Sequence, residues 1–169
     1  MAAKLTLVLG GARSGKSRHA EMLTMSSPSP WTYVATAEIF DEEMRSRIAD
    51  HRMRRGEGWQ TVEAPLDLVG TLEAAKGNAV LVDCLTLWLT NLIFAERDLD
   101  EEMTKLESTL EKMQVPVILV SNEVGLGIVP ENALARRFRD AAGRLHQRLA
   151  ARADQVLLVV AGLPLTVKG

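Results

Sequence analysis

Eight residues, Gly10-Gly11-Ala12-Arg13-Ser14-Gly15-Lys16-Ser17, have the types and spacing to hold a triphosphate. They fit the pattern G-x-x-x-x-G-K-[ST]. In it, glycines let the backbone curl so that successive amide N–H groups and the positive end of the next helix converge on phosphate oxygens. Lys16 is placed to contact the β and γ phosphates, and the Ser17 hydroxyl to hold Mg2+. The apolar run Leu5-Thr6-Leu7-Val8-Leu9 before the motif and Arg18-His19-Ala20-Glu21-Met22-Leu23 after it supply the strand and the helix it requires. Triphosphate binding follows from this stretch, but the phosphorus that reacts does not.

Asp83 closes the apolar run Ala79-Val80-Leu81-Val82, where a phosphate-loop protein keeps an acidic partner for Mg2+ or its water shell. The competing reading is a helix N-cap carboxylate, since a helical pattern starts directly afterwards. Glu123, beyond the run 115–120, is a lesser candidate for the same shell or for an acceptor substrate, against the reading of a loop acid with no special role.

The segment 41–55 gathers Arg45, Arg47, Arg52, Arg54 and Arg55 around His51. Phe40, Met44 and Ile48 recur at helical spacing, and His51, three residues on, continues that apolar face inward. A histidine on such a stripe is ordinarily a satisfied structural residue. Planar guanidinium groups, however, suit phosphate oxygens, and nearby positive charge favours neutral imidazole, the form that can attack phosphorus. The arginines also read as a solvated helix face or as a kinase-type lid. His19 and His146 lack such surroundings and are expected to be non-catalytic.

Positioning these groups falls to a regular alternation. Strand-length apolar runs at 5–9, 31–35, 60–63, 79–83, 115–120 and 155–160 are separated by segments of helical period. A short run at 165–168 follows Gly162-Leu163-Pro164 too closely for a crossover, so it is expected to be antiparallel. Leu85, Trp88, Leu89, Leu92 and Ile93 form a helical stripe after Asp83. A long helix over 131–152 is expected to turn Leu134, Phe138, Ala142, Leu145 and Leu149 inward and its arginines to solvent. The expectation is one domain over residues 1–169. Its class is α/β: a P-loop NTPase-type, mostly parallel sheet with helices on both faces and a short C-terminal antiparallel strand. Ligands of such sheets bind beyond the carboxyl ends of the strands. That places the phosphate loop, Ala35-Thr36-Ala37, Glu63, Asp83 and Ser121-Asn122-Glu123 at the site.

Composition limits the partners. With 47% hydrophobic and 25% charged residues and a net charge of −2, the 169-residue chain has no global attraction for nucleic acid or membrane. Its start runs straight into the first strand, so no signal peptide is expected. The apolar stretch 84–95 is too short for a bilayer span. The single cysteine, Cys84, fits a reducing cytosol and reads as a small core residue.

Taken in order, Gly10 to Arg18, Tyr33-Val34-Ala35-Thr36-Ala37, Arg47-Ile48-Ala49-Asp50-His51-Arg52, Val82-Asp83-Cys84-Leu85-Thr86-Leu87-Trp88 and Ser121-Asn122-Glu123-Val124-Gly125 resemble a known family. So do Gly127-Ile128-Val129-Pro130-Glu131-Asn132 and Arg136-Arg137-Phe138-Arg139-Asp140. The family is the bifunctional adenosylcobinamide kinase/adenosylcobinamide-phosphate guanylyltransferase of cobalamin biosynthesis. The resemblance implies a cytoplasmic enzyme that phosphorylates adenosylcobinamide from ATP or GTP. It then transfers GMP from GTP through a guanylylated histidine, here His51, with Lys16 as the second catalytic residue. Nucleotide contacts are implied at Gly10, Gly11, Ala12, Arg13, Ser14, Gly15, Lys16, Ser17, Ala35, Thr36, Ala37, Arg52, Met53, Arg54, Arg55, Glu63 and Asp83. Metal contacts are expected at Ser17 and Asp83. A homo-oligomer, such as a trimer, with sites near subunit interfaces is implied as well. One departure is Gly56-Glu57-Gly58-Trp59, where family members often carry proline.

Two other readings remain open on the residues alone. One is a one-step P-loop kinase of a small metabolite, indifferent to His51. The other is a GTP-binding switch module, against which stands the lack of an Asn-Lys-x-Asp guanine-reading motif.

Overall fold

The computed structural model describes residues 4–38, 45–46, 49, 53 and 55–169. Seven strands, β1 (Leu5–Gly10), β2 (Trp31–Ala35), β3 (Trp59–Glu63), β4 (Ala79–Asp83), β5 (Val117–Asn122), β6 (Gln155–Val160) and β7 (Leu163–Lys168), form one sheet in the order β3-β2-β4-β5-β1-β6-β7. All neighbours are parallel except β6 and β7. This is the expected α/β arrangement with its antiparallel C-terminal strand. β7 starts earlier than expected because the reversal is made by Ala161 and Gly162, at φ 51 and 79, and Pro164 lies on the sheet edge where no ladder donor is needed.

The five described helices are α1 (Lys16–Thr24), α2 (Leu68–Ala74), α3 (Leu85–Phe94), α4 (Leu99–Lys112) and α5 (Ala133–Arg152). Asp67, Asp98 and Asn132 cap α2, α4 and α5 by accepting the amide hydrogens of Gly70, Glu101 and Ala135. Central strands β1, β4 and β5 are buried on both faces, so they read as continuous apolar runs rather than alternating ones. One core, on the side of α3, α4 and α5, is built around Leu7, Val82, Trp88, Leu89, Leu106 and Leu145. The other lies on the side of α1 and includes Val8, Ala20, Tyr33, Cys84 and Val120.

The stripe of α3 behaves as its spacing predicts: Leu85, Trp88, Leu89, Leu92 and Ile93 are all buried. On α5, Ala142, Leu145 and Leu149 turn inward, whereas Leu134, in the first turn, is exposed. Nor are all arginines of α5 merely solvated. Arg148 and Arg152 both reach the buried Glu107 of α4, the second at 3.0 Å, and clamp the two helices together.

Candidate active site

β1 lies between β5 and β6, so the chain leaves Gly10 beside Asn122 on one flank and Val159 on the other. The turn then has to be tight. A Cβ on Gly10 would fall on the Ser14 hydroxyl and lie 2.8 Å from the Val159 carbonyl oxygen. Arg13 and Gly15 take positive φ, at 54 and 92, which aims the intervening amides inward before α1 begins at Lys16. The loop is braced from outside by the β6–β7 reversal, where the Gly162 amide donates to the Ser14 carbonyl at 2.7 Å. Lys16 is buried and its ammonium donates to the Gly11 carbonyl at 3.1 Å across the mouth of the cradle. The Ser14 hydroxyl is buried with no hydrogen-bond partner among the described residues, a donor left for a phosphate oxygen.

Ala12 to Arg18 form one side of an open cavity of about 980 Å³. Its other side comes from Thr86, Leu87 and Thr90 of α3, Asn122 at the end of β5, Glu123 and Val124 just beyond, and Phe138 of α5. Thr86 fixes the floor: its hydroxyl lies 3.2 Å from the Cys84 sulfur and accepts the Asn122 side-chain N–H at 2.9 Å. Leu87, Val124 and Phe138 belong to stretches that carry the family resemblance, but neither they nor Thr90 were expected at the site. The i, i+3 spacing of Leu87 and Thr90 on the face of α3 opposite its buried stripe was the available signal.

A second group lies farther along the same carboxyl edge. Parallel register sets Glu63, Ala35 and Asp83 in one row across β3, β2 and β4. Thr36 is buried and pinned: its hydroxyl donates to the Cys84 carbonyl at 2.7 Å and accepts the Cys84 amide hydrogen at 2.9 Å, while Asn91 donates to its carbonyl. Ala37 is half-buried beside it, and Glu63 is exposed. Asp83 is not the cap of α3, which is Cys84 with no capping side chain. Its carboxylate accepts instead from the Tyr33 hydroxyl at 3.2 Å.

Tyr33 is a residue the sequence reading left without a role. The Arg55 guanidinium stacks 3.4 Å from the centre of its ring. Burial, and then the Asp83 carboxylate, push the Tyr33 hydroxyl far above the usual phenol range, so it stays a donor. Tyr33 thus joins two expected nucleotide contacts, Asp83 and Arg55.

Of the arginine-rich segment, Arg45, Ser46, Ala49 and Met53 are helical and exposed. The expected catalytic His51 and the expected contacts Arg52 and Arg54 lie outside the described residues, as do Arg47 and the stripe Phe40, Met44 and Ile48. His146 is buried with Nε2 2.7 Å from the Ser121 hydroxyl, and burial lowers its pKa below the ordinary histidine value. It is a hydrogen-bonded core residue.

The oxygen donors expected for Mg2+ are chemically suitable. Ser17, with a hydroxyl, lines the cavity, and Asp83 offers a hard carboxylate oxygen. Among the described residues no three carboxylates, histidines or cysteines converge on a common point. A cation here would draw most of its shell from phosphate and water, as Mg2+ does in nucleotide sites.

Solved structures with the same fold include a KaiC-like protein from Pyrococcus horikoshii OT3, with a TM-score of 0.51, 13% identity, and coverage of 92% of this chain and 71% of that one. A type III secretion system ATPase has a TM-score of 0.53 and 10% identity, over 96% and 56%. Sequence relatives are much nearer. The chain is 52% identical to the bifunctional adenosylcobalamin biosynthesis protein CobP of Pseudomonas aeruginosa, over 96% of each chain. It is 46% identical to CobU of Salmonella typhimurium and 45% identical to CobU of Escherichia coli, in each case over 97% of this chain and 99% of the relative. The family model described as cobinamide kinase / cobinamide phosphate guanyltransferase matches residues 6–167. With the phosphate cradle, the seven-stranded sheet and near-complete coverage in agreement, this chain belongs to the cobinamide kinase / cobinamide phosphate guanyltransferase family.

Proposed function

We propose that the protein performs both reactions of its family in the cytoplasm, phosphorylating adenosylcobinamide from a nucleoside triphosphate and then converting the phosphate to adenosylcobinamide-GDP with GTP. The observation that supports this reading is that Ala12 to Ser17 of the cradle line a cavity of about 980 Å³ that is also lined by Leu87, Thr90, Val124 and Phe138 from outside the loop. Such a site has room for an acceptor beside the polyphosphate.

In the first reaction the acceptor hydroxyl oxygen bonds to the γ-phosphorus and the bond to the β-phosphate oxygen breaks. Catalysis is then mainly positioning and neutralisation of charge by Lys16 and the loop amides. In the second, a ring nitrogen of His51 bonds to the α-phosphorus of GTP and pyrophosphate leaves. The acceptor phosphate then displaces the histidine and takes GMP. Gly10, Gly11, Ala12, Arg13, Ser14, Gly15, Lys16 and Ser17 would hold the polyphosphate. Ala35, Thr36, Ala37, Arg52, Met53, Arg54, Arg55, Glu63 and Asp83 would hold the rest of the nucleotide. Ser17 and Asp83 would hold Mg2+, whose contribution is to neutralise charge on the phosphate oxygens.

A homo-oligomer is part of the same reading, supported by the apolar residues that β7 leaves exposed on the sheet edge. The test of function is to supply adenosylcobinamide with ATP alone and then with GTP, following products by mass. Adenosylcobinamide phosphate in the first case and adenosylcobinamide-GDP with pyrophosphate in the second are expected. Phosphorylation that never proceeds to GMP transfer would reduce the protein to a one-step kinase, and no turnover of either kind would leave a nucleotide-binding module.

A further inference from the structure

The far wall of the cavity makes no contribution to a phosphate cradle. Leu87, Val124 and Phe138 present half-buried apolar surface, and Thr90 adds one hydroxyl. Facing them, Arg13, Lys16 and Arg18 supply positive charge. Among the described residues that line the cavity, Glu123 is the one carboxylate.

Glu123 is held in place by its backbone and by one oxygen only. Its amide donates to the carbonyl of Gly10, the first residue of the cradle, at 2.9 Å. Its Oε1 accepts the Gly125 amide hydrogen, and its Oε2 makes no hydrogen bond among the described residues. A negative charge so close to a polyphosphate site opposes nucleotide binding by simple Coulomb repulsion. The cost is reasonable if the carboxylate has a proton to accept from the second substrate.

We propose that the wall formed by Leu87, Thr90, Val124 and Phe138 is the subsite for the corrinoid acceptor, and that Glu123 is the general base of the kinase step. The proposal rests on the two-reaction reading above. As the acceptor hydroxyl oxygen bonds to the γ-phosphorus, its proton passes to the free oxygen of Glu123. The bond between the γ-phosphorus and the β-phosphate oxygen breaks, the nucleoside diphosphate leaves, and the proton is released to solvent. In GMP transfer the acceptor arrives as an ionised phosphate with no hydroxyl proton to surrender. Glu123 therefore has work in one reaction only, whereas a ligand of Mg2+ would be needed in both.

The purified full-length chain separates these roles. Glu123→Gln keeps the acceptor for the Gly125 amide but removes the base. Its kcat for phosphorylating adenosylcobinamide should fall about 10²–10⁴-fold, and the residual kinase activity should lose the acid limb of the wild-type pH profile. GMP transfer to separately prepared adenosylcobinamide phosphate should fall far less, so that the ratio of the two activities changes by about 10²-fold or more. Equal losses in both reactions, or an unchanged kinase kcat, would overturn the assignment. Phe138→Ala should raise KM for adenosylcobinamide while leaving KM for ATP as in the wild type, and an unaltered corrinoid KM would overturn the subsite. Failure of the wild type to form any GMP adduct would count against the covalent second reaction while leaving both kinase readouts decisive for Glu123 and Phe138.

Discussion

Cys84 shows how strongly one position at the site is constrained. It follows Asp83, caps α3 and lies 5% exposed between the Thr36 hydroxyl and the Thr86 hydroxyl. Burial first, and then the Asp83 carboxylate, push the thiol up to about 11 from an ordinary 9.0. The folded state therefore holds the proton more tightly than the unfolded chain. The stability this confers is complete below the unfolded value and is lost as pH rises toward the folded one. The urea midpoint should drop between about pH 8 and about pH 10.5, and the drop should be smaller in Cys84→Ala; an equal drop in both proteins would contradict the account. At this scale the phosphate loop was fully legible, because its chemistry is written in contiguous residues. Tyr33 was not: its partners Asp83 and Arg55 are distant in sequence, and no spacing rule announces a phenol that bridges two strands.

At the scale of elements, the strands were legible wherever burial on both faces leaves an unbroken apolar run, as in β4 and β6. Ends were less so. Reading 115–120 for Val117–Asn122 reflects Val115 and Pro116, apolar residues that precede the ladder. α2 is only seven residues long, with Leu68 and Leu72 buried, too few for a period to emerge from the sequence. Phe138 was hidden for a different reason: an apolar residue on an amphipathic helix reads as core until the fold shows that it also lines a cavity.

The edge strand β7 carries its own prediction. Leu163, Leu165 and Val167 are exposed, at 72%, 59% and 63%, and lie at alternate positions on a strand that pairs with β6 on one side only. An apolar unpaired edge of this kind invites association. The wild type should sediment as an oligomer and Leu165→Asp at lower mass, with its far-ultraviolet spectrum retained. A wild type that sediments as a single chain would exclude the oligomer.

Across the whole molecule, the carboxyl edge of one sheet carries two separate groups of residues. Around β1 and β5, the cradle and the cavity wall are suited to gripping a polyphosphate beside an acceptor. Around β2, β3 and β4, the row Glu63, Ala35 and Asp83, with Tyr33 and Arg55 over it, is suited to the remainder of a nucleotide. On the proposed mechanism, two places for one nucleotide's parts would let the γ-phosphorus be used in one reaction and the α-phosphorus in the other. The second use depends on a nucleophile, and the chain's candidate is His51. Incubation with GTP labelled at the α-phosphate, followed by denaturation, tests this most directly. The account predicts label bound to the protein that is stable in alkali, labile in acid and absent from His51→Ala. Label that never becomes covalent, or that persists in His51→Ala, would contradict it.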